Sequence, residues 1–138
     1  MRIEHLPYNG GGNCLFQSCA YHLKISPAYL RKKVALIIRS QPTLLINGTP
    51  LQEWVSMLGY DYISYSQYIS KDGVLGTGLE LAIISMHYHR CIKVMNPEFI
   101  QIAEYFPNFQ KSIFLCFSGD PNNGHYDPIE LWLHILLF

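Results

Sequence analysis

Asn9-Gly10-Gly11-Gly12-Asn13-Cys14-Leu15-Phe16-Gln17-Ser18 is the stretch on which the reading of the chain turns. Three consecutive glycines run into Asn13 and Cys14. Beyond them Phe16, Cys19, Ala20 and Leu23 recur at i, i+3, i+4 and i+7, the spacing of one helical face. The pattern predicts a glycine loop that becomes a helix at Cys14 and runs to about Lys24. The first N–H groups of a helix lack intrahelical partners, and the helix dipole adds partial positive charge there. Both favour a thiolate at that position. Glycines let backbone N–H groups approach a substrate closely, as an oxyanion hole requires. The plainer alternative is a turn followed by a buried cysteine, the usual fate of a free thiol.

The second informative stretch is Gly119–Ile129, where His125-Tyr126-Asp127 follows a loop dense in Gly, Pro, Asn and Asp. His125 lies 111 residues beyond Cys14. A cysteine nucleophile needs such a histidine, distant in sequence and adjacent in space. The imidazole takes the thiol proton and later protonates the leaving amine. Asp127 stands at i+2 from His125, so on an extended strand both side chains share a face. The carboxylate can then orient the ring, the third role of a triad.

Gly12-Asn13-Cys14-Leu15-Phe16 with His125-Tyr126-Asp127 resembles the OTU (ovarian tumour) family of cysteine proteases. The family's first motif reads Asp-Gly-Asn-Cys-Leu-Phe, and its aspartate falls on Gly11. Its middle motif, Trp-Gly followed by Glu-Leu, looks like Leu75-Gly76-Thr77-Gly78-Leu79-Glu80-Leu81, with Leu75 in place of tryptophan. The closing motif, His-aromatic-Asp, is complete. The small size and the departures at Gly11 and Leu75 look like compact viral members. The resemblance implies an α+β, papain-like domain with a small, mostly antiparallel sheet flanked by helices. It implies a deubiquitinase that cuts after the last glycine of ubiquitin or a ubiquitin-like modifier. Its partners would be that modifier and ubiquitinated proteins. Cys14, His125 and Asp127 would be catalytic, the N–H groups of Gly11, Gly12 and Cys14 would hold the oxyanion, and Asn13, Glu80 and Tyr126 would support them. No cofactor or metal is implied. Glycine at position 11 leaves the loop more flexible, so the expectation is that it orders on substrate binding. The alternatives are a non-catalytic ubiquitin-binding module, a viral polyprotein self-processing protease, or an unrelated structural domain with Cys14 and His125 far apart.

Composition agrees with one domain over residues 1–138. Hydrophobic residues make up 49% and charged residues 14%, enough for a core and too little charge for disorder. The formal net charge is zero and no basic block appears, so nucleic acid is not an expected partner. The run Leu131–Phe138 is shorter than a membrane span and reads as a final strand or the cut end of a longer protein. No apolar leader is visible at the N-terminus, so Cys14, Cys19, Cys91 and Cys116 are expected reduced, in the cytoplasm. Cys19, on the apolar helix face, reads as core.

Local signals place the other elements. Ser26 and Pro27 open a helix to about Arg39. Its Arg31, Lys32, Lys33 and Arg39 read as a solvated basic face or a partner contact. Thr49 with Gln52 reads as a capping box for a helix ending at Gly59. Tyr62, Tyr65 and Tyr68 share a helical face. Thr77 with Glu80 forms a second capping box, for a helix to about Tyr88. His87, His89 and Cys91 alternate, but they share a face only if extended, and a helix end is expected there. Strands are expected at Cys91–Met95, Phe99–Ala103, Ser112–Ser118 (the central one) and from His125. Met1–Pro7 is an edge strand or an arm.

Overall fold

The computed structural model describes residues 1–7, 11–120 and 124–131. Asn9 and Gly10 of the first loop, 121–123 of the second, and the expected closing strand beyond Leu131 lie outside the described residues.

Helices come first. α1 (Cys14–Leu23) starts at the cysteine. α2 (Pro27–Ser40) is capped by the Ser26 hydroxyl, which accepts the Tyr29 N–H, with Pro27 at the first position. α3 (Leu51–Met57), α4 (Tyr62–Ile69) and α5 (Gly78–Tyr88) follow. α5 has the full capping box: Thr77 and Glu80 serve each other's backbone.

The Thr49 capping box does not form. Leu45–Ile46 (β2) and Thr49–Pro50 (β3) pair antiparallel across Asn47-Gly48, whose φ values are 51° and 81°. A two-residue turn with both φ positive matches strand twist and suits Asn-Gly. Thr49 is therefore held in the hairpin, and Pro50 takes the N-cap position of α3. On α4 the three tyrosines also part company. Tyr65 is buried, while Tyr68 is exposed and stacks on Tyr60 at 5.5 Å.

The strands β4 (Cys91–Met95), β5 (Gln101–Tyr105), β6 (Ser112–Ser118) and β7 (His125–Glu130) join β1 (Arg2–Ile3) in one sheet of order β1-β7-β6-β4-β5. β4 and β6 are parallel and the other neighbours antiparallel. This is the expected α+β architecture with a mostly antiparallel sheet. β5 begins two residues later than expected. The Asn96 side chain accepts the N–H groups of Glu98 and Ile100, and Phe99 takes a positive φ, so a turn uses up those residues.

Alternation divides the sheet into two faces. Ile113 and Leu115 of β6 join the main core with Phe16, Leu30, Ile38, Leu81 and Ile84 from the helices. Phe114 and Cys116 point the other way, into a small cluster with Met95, Ile129 and Ile3. α1 packs on β7 and β6, and α2 packs on α1, α4 and α5. The first helix and the last described strand, far apart in sequence, thus lie side by side.

Candidate functional site

Cys14 sits at the first position of α1 and is only 7% exposed. Asn13 holds the N-cap position, but its side chain makes no cap bond. Its Oδ1 instead accepts from Arg31 Nη2 at 2.8 Å and from the Gly73 N–H at 2.9 Å. Arg31 overturns the expectation of a solvated basic residue, for it is 4% exposed. Its Nη1 donates to the Ile69 carbonyl, and its Nη2 to the carbonyls of Gly12 and Val74. The guanidinium also lies over the Phe16 ring, 4.4 Å from its centre. Burial pulls Arg31 below the ordinary arginine value, and the charges of Asp72 and Glu80 oppose that fall.

Gly12 and Asn13 are tied to Arg31 and the 69–74 segment. A Cβ on Gly12 would lie 1.6 Å from the Gly73 carbonyl oxygen, so only glycine fits. Gly11 is exposed at the loop's surface. The helical phase of Arg31 was the available signal: with Val34, Ala35 and Ile38 it forms an i, i+3, i+4, i+7 set on the buried face of α2.

β7 brings in the other groups. The Tyr126 N–H donates to Cys14 Sγ at 3.4 Å, and the Tyr126 carbonyl accepts from Ser18 Oγ at 3.1 Å. Two side chains one turn apart on α1 thus stitch the helix to the strand. His125 and Asp127 flank that point, with His125 Nε2 3.1 Å from Asp127 Oδ1. The His125 side chain is 43% exposed and that of Asp127 only 8%. The Tyr126 ring packs on Phe117 at 4.9 Å, and burial raises its phenol above the ordinary tyrosine value. Among the site residues, Ser18 and Arg31 escaped the sequence reading, as did His5, whose Nδ1 lies 3.4 Å from Asp127 Oδ2.

Cys14 and Leu15 lie at the base of a cleft of about 350 Å³. Leu75, Gly76, Thr77 and Gly78 form one wall, and Phe117, Gly124 and Tyr126 the other. Glu80 stands behind the first wall, fully buried. It accepts from the Thr77 N–H and hydroxyl and from the Tyr65 hydroxyl. Burial raises its pKa above the ordinary glutamate value, and these bonds hold it down. Cys19 is a core thiol, pushed up to about 12 by burial. His87 lies in the last turn of α5, His89 caps that helix in a left-handed conformation, and Cys91 opens β4. Among the described residues, no group of three or more His, Cys, Asp or Glu is arranged to hold a metal.

No model of a known protein family matches the chain. Among solved structures, an OTU domain in complex with ubiquitin superposes with a TM-score of 0.70 at 24% identity, over 91% of this chain and 67% of that one. The viral OTU domain protease from Dera Ghazi Khan virus gives 0.65 at 19% identity, over 94% and 80%. The fold is therefore that of an OTU domain. In sequence the chain is 26% identical over 126 residues to the ubiquitin thioesterase OTU1 of Mus musculus, covering 86% of this chain. In fold and in sequence alike, the chain is similar to OTU-family proteins. The chain spans only 33% of the length of that relative.

Proposed function

We propose that this domain is a cysteine isopeptidase, a deubiquitinase that hydrolyses the bond after the C-terminal glycine of ubiquitin or a ubiquitin-like modifier. The observation that carries the reading is the meeting of Cys14 with β7 between His125 and Asp127, at the base of a cleft. Cys14 Sγ attacks the glycine carbonyl. With its Nε2 turned to Asp127, His125 offers Nδ1 to take the thiol proton and then protonate the departing lysine amine. Asp127 fixes the ring. The N–H groups of Gly11, Gly12 and Cys14 stabilise the oxyanion of the tetrahedral intermediate. Water then releases the modifier from the Cys14 thioester.

The cleft walls favour such a tail. Side chains crowd close to glycine positions of the cleft: a Cβ on Gly76 would lie 3.0 Å from the Leu15 side chain, and one on Gly124 2.1 Å from the Phe117 ring. An extended glycine tail, with no side chains of its own, suits so narrow a slot. The relative OTU1 is a ubiquitin thioesterase, and one structural neighbour is an OTU domain in complex with ubiquitin. The likeness to a viral OTU domain protease supports a viral domain that strips modifiers from host proteins in the host cytoplasm and so counters host ubiquitin signalling.

The test is reaction with ubiquitin carrying a cysteine-reactive group at its C-terminus, on the wild type and Cys14→Ala. An adduct lost in the variant is expected. No adduct from the folded wild type, with either ubiquitin or ubiquitin-like probes, would overturn the proposal.

A further inference from the structure

The Asp127 carboxylate serves two imidazoles, one on each oxygen. β1 pairs with β7 in the register Arg2↔Glu130 and Ile3↔Ile129. The ladder continues past the strand, because the Glu4 N–H donates to the Pro128 carbonyl at 2.8 Å. The same register carries His5 to the place opposite Asp127. His5 Nδ1 lies 3.4 Å from Asp127 Oδ2, while His125 Nε2 lies 3.1 Å from Oδ1. On its other side Asp127 faces Cys116 of β6, a thiol and so a weak donor. A buried carboxylate needs donors on both oxygens to keep one rotation. His125 Nε2 lies against one of them, and His5 Nδ1 of the N-terminal arm against the other.

We propose that His5 is a positioning residue for this site: its ring holds the outer oxygen of Asp127, and so fixes the carboxylate plane against His125. The proposal rests on the reading of Cys14, His125 and Asp127 as a catalytic set. His5 touches neither the reacting thiol nor the substrate in that scheme, and it acts through Asp127 alone. At 79% side-chain exposure it donates through water-screened space, so its effect is modest. Its place two residues beyond a short edge strand also links the arm to the rate: whatever peels β1 from β7 carries His5 away from Asp127.

Two readouts separate this from the functional proposal. One is turnover of a fluorogenic ubiquitin substrate. The other is the alkylation rate of Cys14 by iodoacetamide, mapped by peptide mass, which reports on the thiol and imidazole without any modifier. His5→Phe keeps a ring but has no donor. His5→Asn places an amide nitrogen where Nδ1 stood. His5→Phe is expected to lower kcat and slow Cys14 alkylation about two- to fivefold, the span of an exposed pair, with KM unchanged. His5→Asn should restore most of both. In an Asp127→Asn background, His5→Phe should change neither. An unchanged alkylation rate in His5→Phe, a failure of His5→Asn to restore it, or a His5→Phe effect that persists with Asp127→Asn would overturn the proposal. Loss of turnover on every modifier, with the alkylation pattern intact, would sink the isopeptidase reading and leave the His5 contact standing.

Discussion

Replacing Arg31 by methionine removes the clamp while keeping most of the buried stem. Four acceptors lose a donor: the carbonyls of Gly12, Ile69 and Val74, and Asn13 Oδ1. They are not equal. Asn13 Oδ1 keeps the Gly73 N–H, and the Val74 contact is only partly buried, so water can serve it. Gly12 and Ile69 are bonded to Arg31 in buried surroundings. Two orphaned buried acceptors cost about 1–3 kcal/mol each. Ile69 ends α4, so the change also strips a cation from a helix C-terminus, worth roughly 0.3–1 kcal/mol. Relief of guanidinium desolvation offsets part of this. The net expectation is a loss of about 3–5 kcal/mol. For a chain of this size that lowers Tm by roughly 10–15 °C. Urea unfolding followed by circular dichroism reads it as a lower midpoint at unchanged slope. Lysine should rescue less than half, since one ammonium cannot reach acceptors on three separate segments. A loss below about 1 kcal/mol in Arg31→Met would refute the clamp argument, because it would mean that those acceptors never depended on the guanidinium.

Further outcomes are expected. Cys14→Ala should remove turnover almost entirely, whereas Asp127→Ala should lower kcat roughly 10- to 1000-fold, since orienting the ring is one contribution among several; equal losses in steady-state assays would contradict the separate roles. Gly12→Ala should cost at least about 2 kcal/mol in chemical denaturation, because its Cβ meets backbone rather than a movable side chain. Glu80→Gln tests burial of the acid. A carboxyl whose folded pKa is raised stabilises the fold below its unfolded value and loses that contribution as pH rises through the folded one. Gln has no such loss, so the stability of Glu80→Gln relative to wild type should climb from the ordinary glutamate range upward, by at most about 1.4 kcal/mol per pH unit. A difference flat from pH 4 to 8 in urea titrations would count against a raised Glu80.

What the sequence disclosed was local. Ser26-Pro27 and the Thr77–Glu80 box are written within four residues, and the chain obeys them. His125 and Asp127 share a face because a strand alternates, whatever lies beside it. Thr49 failed because a capping signal of equal quality competed with an Asn-Gly hairpin whose strands lay on either side of it. Arg31 was misread because residue type was weighed above helical phase. His5 was beyond reach, since its neighbour depends on the register of β1 against a strand more than 120 residues away.

The pairing of α1 and β1 with β7 has a consequence during synthesis. The Cys14 thiol leaves the ribosome early, and the His125 imidazole and Asp127 carboxylate leave only with the last described strand. Until β7 emerges, Cys14 lacks the Tyr126 N–H that meets its Sγ, and the cleft lacks the wall that Tyr126 provides. Closing so long a loop is entropically costly and slow, so the contacts of β7 belong to the late stages of folding. On the mechanism proposed above, the chain is inactive until β7 has emerged and paired with β1 and packed against α1.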